Sequence, residues 1–477
     1  MSRERAAIVI ACGVVVVPRI LRWGQVPAVV DGDELAFLAS GIAEYADRSP
    51  LWSFKSNSLP AAHFWLMGLA ATLFGPDVWS ARLVTASLGA LQAVGLVAAS
   101  ARLAGAMGAL TTATVLCLPL ELHFERLNLC NVWTTATWSL AFAVAVLAGA
   151  RTWAGIVIGV LLAAGWYGYQ SSRLVPLIVG APLLVLLGRA PRRYLPAIGL
   201  GVLSFFATVS PLLYGFWLEP DKLTARAFDS SWLSRGGATD TLSVHLSATL
   251  AAFTGGDWDH SAFLPYHVVL FPLVVSLMAV AGLAVTRSLP LTLCLGAWIG
   301  VAVVGNFVRN VPIYSCVLVC AVPAFAVAAG LTARVLGVAA PLLAGLVVFP
   351  ATSAYFQMAR SVPPSASLPM AHYRALQGIP HDAPLLIGGG LPCSHGFNQL
   401  YKTCIDLTDA RPPRPPGAYA VLFGSKRSLA KWIPGERQRE NWDGIDVLVI
   451  RPLEISAPRA LSAGEGPTRA YRNAHSA

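Results

Sequence analysis

Charge is what this chain has least of: 12% of its 477 residues are Asp, Glu, Lys or Arg, against 56% hydrophobic residues and a mean hydropathy of +0.62. A soluble domain carries about 25% charged residues. A water-soluble fold around a single core is therefore excluded, and a polytopic membrane protein remains. Acids are scarcest: of 24 in the chain, fifteen cover the first 350 positions. Also missing are a phosphate-binding loop, a dinucleotide fingerprint, a Ser/His/Asp arrangement and any internal repeat. The net charge of +10 comes from Lys and Arg in short loops and in a basic tail. That distribution favours lipid headgroups or a lipid phosphate as partners, and not nucleic acid. Of the eight cysteines, five lie inside apolar runs and Cys130 lies at the edge of one. Cys393 and Cys404, in the polar tail, either close a short loop as a disulfide in an oxidising compartment or stay as two thiols, without metal-ligand spacing.

What is present is a series of apolar runs. They fall near 6–22, 81–101, 106–120, 131–149, 153–168, 173–188, 196–217, 267–286, 290–305, 313–331 and 335–353, which predicts eleven crossings. The run 61–75 is short and ends at Gly75-Pro76, so it reads as a helix lying in the outer interface. Arg102, Arg151, the Arg189/Arg192/Arg193 cluster, Arg287 and Arg334 sit between runs and read as cytoplasmic by the positive-inside rule. The amino terminus is then inside and retained as an anchor. The first external loop is 23–80, the membrane domain is 1–354, and 355–477 is an extracytoplasmic segment. Its short apolar runs, such as Leu385-Leu386-Ile387 and Val447-Leu448-Val449-Ile450, are bounded by Gly and Pro and predict strands of a small α/β domain.

Five of the scarce acids lie between 31 and 47, led by Asp31-Gly32-Asp33-Glu34. Carboxylates are costly near a bilayer, so three within four residues at a membrane surface mark a candidate reaction site.

The segments DGDELAFLASGI, SLPAAHFWLMGLAATLFGPDVWSARLVTASLGAL, LHFERLNLCN and GWYGYQSSRLVPL occur in that order. Together they resemble the GT-C superfamily of membrane glycosyltransferases. The likeness is to the branch holding dolichyl-phosphate-mannose protein mannosyltransferases and bacterial aminoarabinose lipid A transferases, a glycosyltransferase family 39-like pattern. It covers roughly residues 8–190. The resemblance implies an integral protein of the bacterial cytoplasmic membrane with a core of about 11–13 transmembrane helices. Its active site would face outside, and it would move a sugar with inversion from a polyprenyl phosphate to a glycan, lipid or protein acceptor.

The family's Asp-Glu motif falls on Asp33 as the base and Glu34 as the residue that orients it or the sugar hydroxyls. Asp31 and Asp33 also form an Asp-x-Asp pair of the kind that holds a divalent metal against a phosphate, or flank Gly32 in a turn. No cofactor beyond that is implied. Lys55, Arg126 and Arg173, each in an outer loop beside a resembling motif, are the candidate contacts to the donor phosphate. Relatives often carry His-Pro-Pro or Lys-Pro before the 61–75 helix. This chain has Leu59-Pro60 there, leaving Lys55 or His63 to take that contact. Trp52, Trp65, Trp166, Tyr167 and Tyr169 fit a lipid groove or the usual interfacial belt. Asp257, Asp259, His260 and His267 read as loop polarity. The rival readings are a polytopic transporter of a lipid-linked or anionic substrate, which would place its charges mid-membrane, and a scaffold, which would not need the Asp33 cluster.

Overall fold

A computed structural model describes residues 3–21, 26–28, 30, 32–54, 59–223, 238–254, 269–307 and 315–360. In the tail it describes 375–376, 379–380, 383–388, 403–406, 418–423, 436–442 and 445–451. The helices are α1 (Arg3–Ile20), α2 (Gly32–Ala46), α3 (Ala61–Phe74), α4 (Val78–Val115), α5 (Pro119–Glu125) and α6 (Asn131–Ala148). They continue with α7 (Thr152–Trp166), α8 (Val175–Arg189), α9 (Pro191–Leu218), α10 (Ala238–Thr254), α11 (Leu273–Val285) and α12 (Leu289–Phe307). The last are α13 (Ser315–Leu318), α14 (Val322–Leu331), α15 (Ala333–Leu336) and α16 (Ala339–Met358). Among the described residues, seven helices are long and apolar enough to cross a membrane. The protein is an integral membrane protein, and helix covers most of each of the eleven apolar runs.

The longest helix hides two limbs. In α4, Ala104 (φ −138°, ψ 19°) and Gly105 (φ 69°, ψ −169°) leave helical geometry. Thr112 Oγ1 donates to Ser100 Oγ at 2.8 Å. Twelve residues of unbroken helix would hold them about 18 Å apart, so the chain doubles back at Gly105, where a positive φ favours glycine. The two limbs match the separate runs 81–101 and 106–120, with Arg102 at the turn.

The contacts then sort the molecule into two ends. At one, Tyr169 N donates to Thr134 Oγ1 at 3.2 Å, joining the end of α7 to the start of α6. There too His123 Nδ1 meets Tyr355 OH at 3.2 Å, and Ala28 N donates to Ala359 O at 2.7 Å. At the other end, Arg334 Nε donates to Leu103 O at 2.9 Å beside the α4 turn. Arg151, Arg189 and Arg287 lie at that same end, at the far termini of α7, α8 and α12. Segregation of this kind is what the positive-inside rule requires of a cytoplasmic face. Cysteines introduced into 23–60 and beyond 360 are therefore expected to react with an impermeant maleimide on intact cells. Reaction only after permeabilisation would reverse this orientation.

Two further elements shape the site end. The fourteen-residue α3 is too short to span about 30 Å of hydrocarbon and packs on α2. Phe37 meets Phe64 at 5.4 Å and Tyr45 meets Trp65 at 5.2 Å, both edge-on. A side chain at Gly68 would overlap the Gly41 backbone, so the two helices touch through glycines. The second element, α10, lies within what the sequence predicted as the 218–266 loop. Its Thr, Ser and His residues interrupt the apolar pattern, which masks the helix. It nevertheless buries Ala248 and Ala252, and Thr249 Oγ1 accepts from Asn306 Nδ2 at 3.0 Å.

The tail carries five strands: β1 (Pro384–Gly388), β2 (Thr403–Asp406), β3 (Tyr419–Phe423), β4 (Glu436–Trp442) and β5 (Ile445–Arg451), in the order β2-β1-β3-β5-β4. β1 runs parallel to β2 and β3; β5 runs antiparallel to β3 and β4. One face (Leu386, Ala420, Leu422, Leu448, Ile450) forms a small core of its own. The other (Leu385, Ile387, Val421, Phe423, Val447, Val449) joins the main core. Burial on both faces explains why these strands read as continuous apolar runs instead of alternating ones. Cys393 lies outside the described residues, and so does the side chain of Cys404 on β2, so the disulfide expectation stands where the sequence left it.

Candidate active site

Asp33 and Glu34 occupy the first turn of α2, where the helix dipole favours negative charge. Adjacent helical residues point about 100° apart, and the two acids have different fates. Glu34 is fully buried. Arg82 grips it with both arms of its guanidinium, Nε to Oε1 at 2.9 Å and Nη2 to Oε2 at 2.8 Å. Asn128 N adds a third bond to Oε1 at 2.8 Å, and Asn128 Nδ2 reaches the Glu34 carbonyl at 3.3 Å. Both Glu34 oxygens accept hydrogen bonds from the protein, which ties the turn carrying Asp33 to α4 and to the 126–128 turn. Asp33 is half-buried on that turn. Asp31 lies outside the described residues, and among the described residues no group of three or more His, Cys, Asp or Glu is placed to hold a metal ion.

Arg126 differs from its sequence expectation. It is buried, and it donates through Nε to Val26 O at 2.6 Å, through Nη2 to Leu21 O at 2.7 Å, and through Nη1 to the carbonyls of Pro18 and Arg19. Its guanidinium also lies 5.3 Å from the Phe356 ring centroid. Burial lowers its pKa to about 10, which leaves it cationic at neutral pH. These bonds strap the end of α1 and the start of the outer loop to α5. They turn the cation toward backbone and occupy four of its five N–H donors. Arg82 Nη1 adds a bond to Pro27 O at 2.7 Å.

Arg173 is different again. It sits in the turn between α7 and α8, 4.7 Å from the Phe216 ring centroid, with Nη1 on the carbonyls of Lys222 and Leu223. Its Nε and Nη2 are buried and have no hydrogen-bond partner among the described residues. Phe54 stacks on the same Phe216 at 4.9 Å, so the residue before Lys55 shares the ring that carries Arg173. Lys55 itself lies outside the described residues, as do Asp257, Asp259, His260 and His267. His63 does not replace a cationic contact: it is buried, edge-on to Trp133 at 6.3 Å, and burial alone pushes its pKa down to about 3. The ring is neutral at physiological pH.

Sequence reasoning also missed a buried group beneath this turn. Gln92 Nε2 donates to Glu121 Oε1 at 2.7 Å and to Glu125 Oε1 at 2.6 Å, and Arg19 Nε lies 2.7 Å from Glu125 Oε2. The available signal was Gln92 itself, a polar amide inside an apolar run, which demands a partner.

No family model matches the sequence, and no curated protein matches it. Solved structures do. A crystal structure of ArnT from Cupriavidus metallidurans bound to undecaprenyl phosphate aligns with a TM-score of 0.64 at 16% identity, over 95% of this chain and 99% of that one. The chain shares the fold of that protein along nearly its whole length. The apo form of the same ArnT gives the same score. The Archaeoglobus fulgidus oligosaccharyltransferase in its apo form matches with a TM-score of 0.52 at 12% identity, over 85% of this chain and 64% of that one. Its complex with an inhibitory peptide and a dolichol-phosphate matches at 0.50, over 80% and 62%. At these identities the likeness concerns the course of the chain. The chemistry has to be argued from the residues above.

Proposed function

We propose that this protein is an inverting glycosyltransferase that moves a sugar from a polyprenyl-phosphate donor to a hydroxyl or amine of a glycan, lipid or protein on the outer face of a bacterial cytoplasmic membrane. One observation carries the reading. Asp33 stands on the turn that Arg82 and Asn128 clamp through Glu34, in a chain that follows along nearly its whole length the fold of a protein solved with undecaprenyl phosphate.

In this reading the Asp33 carboxylate takes the acceptor proton as the acceptor atom attacks the anomeric carbon. The bond from that carbon to the phosphate oxygen breaks on the opposite face, and its electron pair leaves with the polyprenyl phosphate. Two negative charges must be tolerated, one on the base before reaction and one developing on the leaving phosphate. Arg173 serves the second, because its two unpartnered nitrogens form a fork of the shape that matches a phosphate. Lys55 is its proposed companion through Phe54.

Charge-assisted hydrogen bonds contribute about 1.5–3 kcal/mol each. Arg173→Ala is therefore expected to weaken binding of undecaprenyl phosphate about ten- to a hundredfold, with partial recovery in Arg173→Lys, which lacks the fork. Unchanged binding in Arg173→Ala would move the phosphate site elsewhere. The function itself is tested by incubating the purified protein with polyprenyl-phosphate sugars and following release of free polyprenyl phosphate. Passage of the intact lipid-linked sugar across a vesicle without release would instead make the protein a transporter.

A further inference from the structure

We propose that Gln92 is a positioning residue for this reaction: seated between the Glu121 and Glu125 carboxyls, it fixes α5 and the end of α1, and through the 126–128 turn it fixes the first turn of α2 on which Asp33 stands. The inference rests on the glycosyl-transfer reading above for its consequence, though not for its geometry.

The path is continuous. Gln92, on the first limb of α4, uses one nitrogen to reach both acids of α5. Glu125 pairs with Arg19 at the end of α1, and Arg19 Nη2 donates to Leu116 O at 3.0 Å, on the way into α5. The next residue, Arg126, straps the carbonyls of Leu21 and Val26. Two residues on, Asn128 holds Glu34 through main chain and side chain. Every side chain in this path is buried, so a shift at one end has no solvent in which to dissipate. Gly89, one turn before Gln92, leaves the room: a Cβ there would lie 2.6 Å from Glu125 Cδ.

The two acids are not equivalent. Arg19 lies against Glu125, with Nε 2.7 Å from Oε2, while Glu121 faces Gln92 and the Glu125 carboxyl. Two carboxylates this close cannot both ionise beside a single guanidinium. Burial and the neighbouring charge raise the pKa of Glu121 well above the usual carboxylate range, with Arg19 and Gln92 opposing. Burial raises the pKa of Glu125 as well, and the Arg19 guanidinium against it opposes that rise, so the contact that favours a charged carboxylate is the one on Glu125. An uncharged amide at 121 would preserve the arrangement, whereas one at 125 would leave Arg19 unpaired.

Hydrogen–deuterium exchange over residues 26–40 measures the positioning without needing activity, and steady-state kinetics measures its consequence. Gln92→Leu and Glu125→Gln are expected to speed exchange in that segment and to lower kcat about ten- to a hundredfold, with KM for the polyprenyl-phosphate donor within about twofold. Glu121→Gln should leave both readouts within about twofold of the parent, and its solubility controls for folding. Gly89→Ala should follow Glu125→Gln. Exchange at 26–40 that is unchanged in Gln92→Leu would overturn the inference. Faster exchange in a protein whose parent releases no polyprenyl phosphate from any donor would leave the positioning intact and sink the transferase reading instead.

Discussion

Asp33→Asn is expected to lower turnover by at least about a hundredfold while donor binding and thermal stability stay close to those of the parent, because a positioned general base contributes typically about 10²–10⁴-fold. The amide keeps the size and the polarity of the acid but cannot accept the acceptor's proton. Separating binding from chemistry is what makes the test sharp. Undecaprenyl phosphate affinity reads the phosphate site, single-turnover release of polyprenyl phosphate reads the proton transfer, and a melting curve reads the fold. Glu34 is removed from contention as the base by its three bonds from Arg82 and Asn128. Near-normal turnover in Asp33→Asn would therefore remove the central claim and return attention to Asp31, its neighbour across Gly32.

The second large effect is on stability. Arg82→Ala leaves the Glu34 carboxylate buried with its charge uncompensated, and breaking a buried pair in this way costs about 3–5 kcal/mol. The expected result is a marked fall in melting temperature together with loss of turnover, since the turn carrying Asp33 loses its anchor. Replacing both partners, as Glu34→Leu with Arg82→Met, removes the charge problem and should recover most of the stability. Activity should not return, because the Asn128 bond to Glu34 and the Arg82 bond to Pro27 O are gone as well. Equal destabilisation in the single and double variants would mean that packing, and not charge pairing, governs this position.

Much of the architecture could be read without coordinates, for a physical reason. In a bilayer each spanning segment must satisfy its own backbone hydrogen bonds and present apolar side chains to lipid, so hydropathy and the placement of Arg mark helices and their ends directly. The eleven runs, the chain reversal near Arg102, the shortness of α3 and the short buried strands of the tail were legible on those terms. The element α10 was not, because it buries a mixed face against other helices, and the hydropathy of a window cannot register which face is covered.

The candidate site divides in the same way. That Asp33 and Glu34 stand just past the first apolar run follows from local sequence; that they begin a helix, α2, came from the structure. Their different environments follow from a rotation of about 100° per residue and from Arg82 and Asn128, which are 48 and 94 positions away from Glu34. The three candidate cations looked alike as residues in outer loops. The tertiary structure turned Arg126 onto four carbonyls and left Arg173 with two free nitrogens. It also made an ion pair of Arg19 and Glu125 and set Gln92 between two acids. Sequence by itself determined where charge enters an apolar chain, since that depends on composition and order. Which charges are consumed by one another and which remain for a ligand depends on distances between residues far apart in the chain, and those are set by packing.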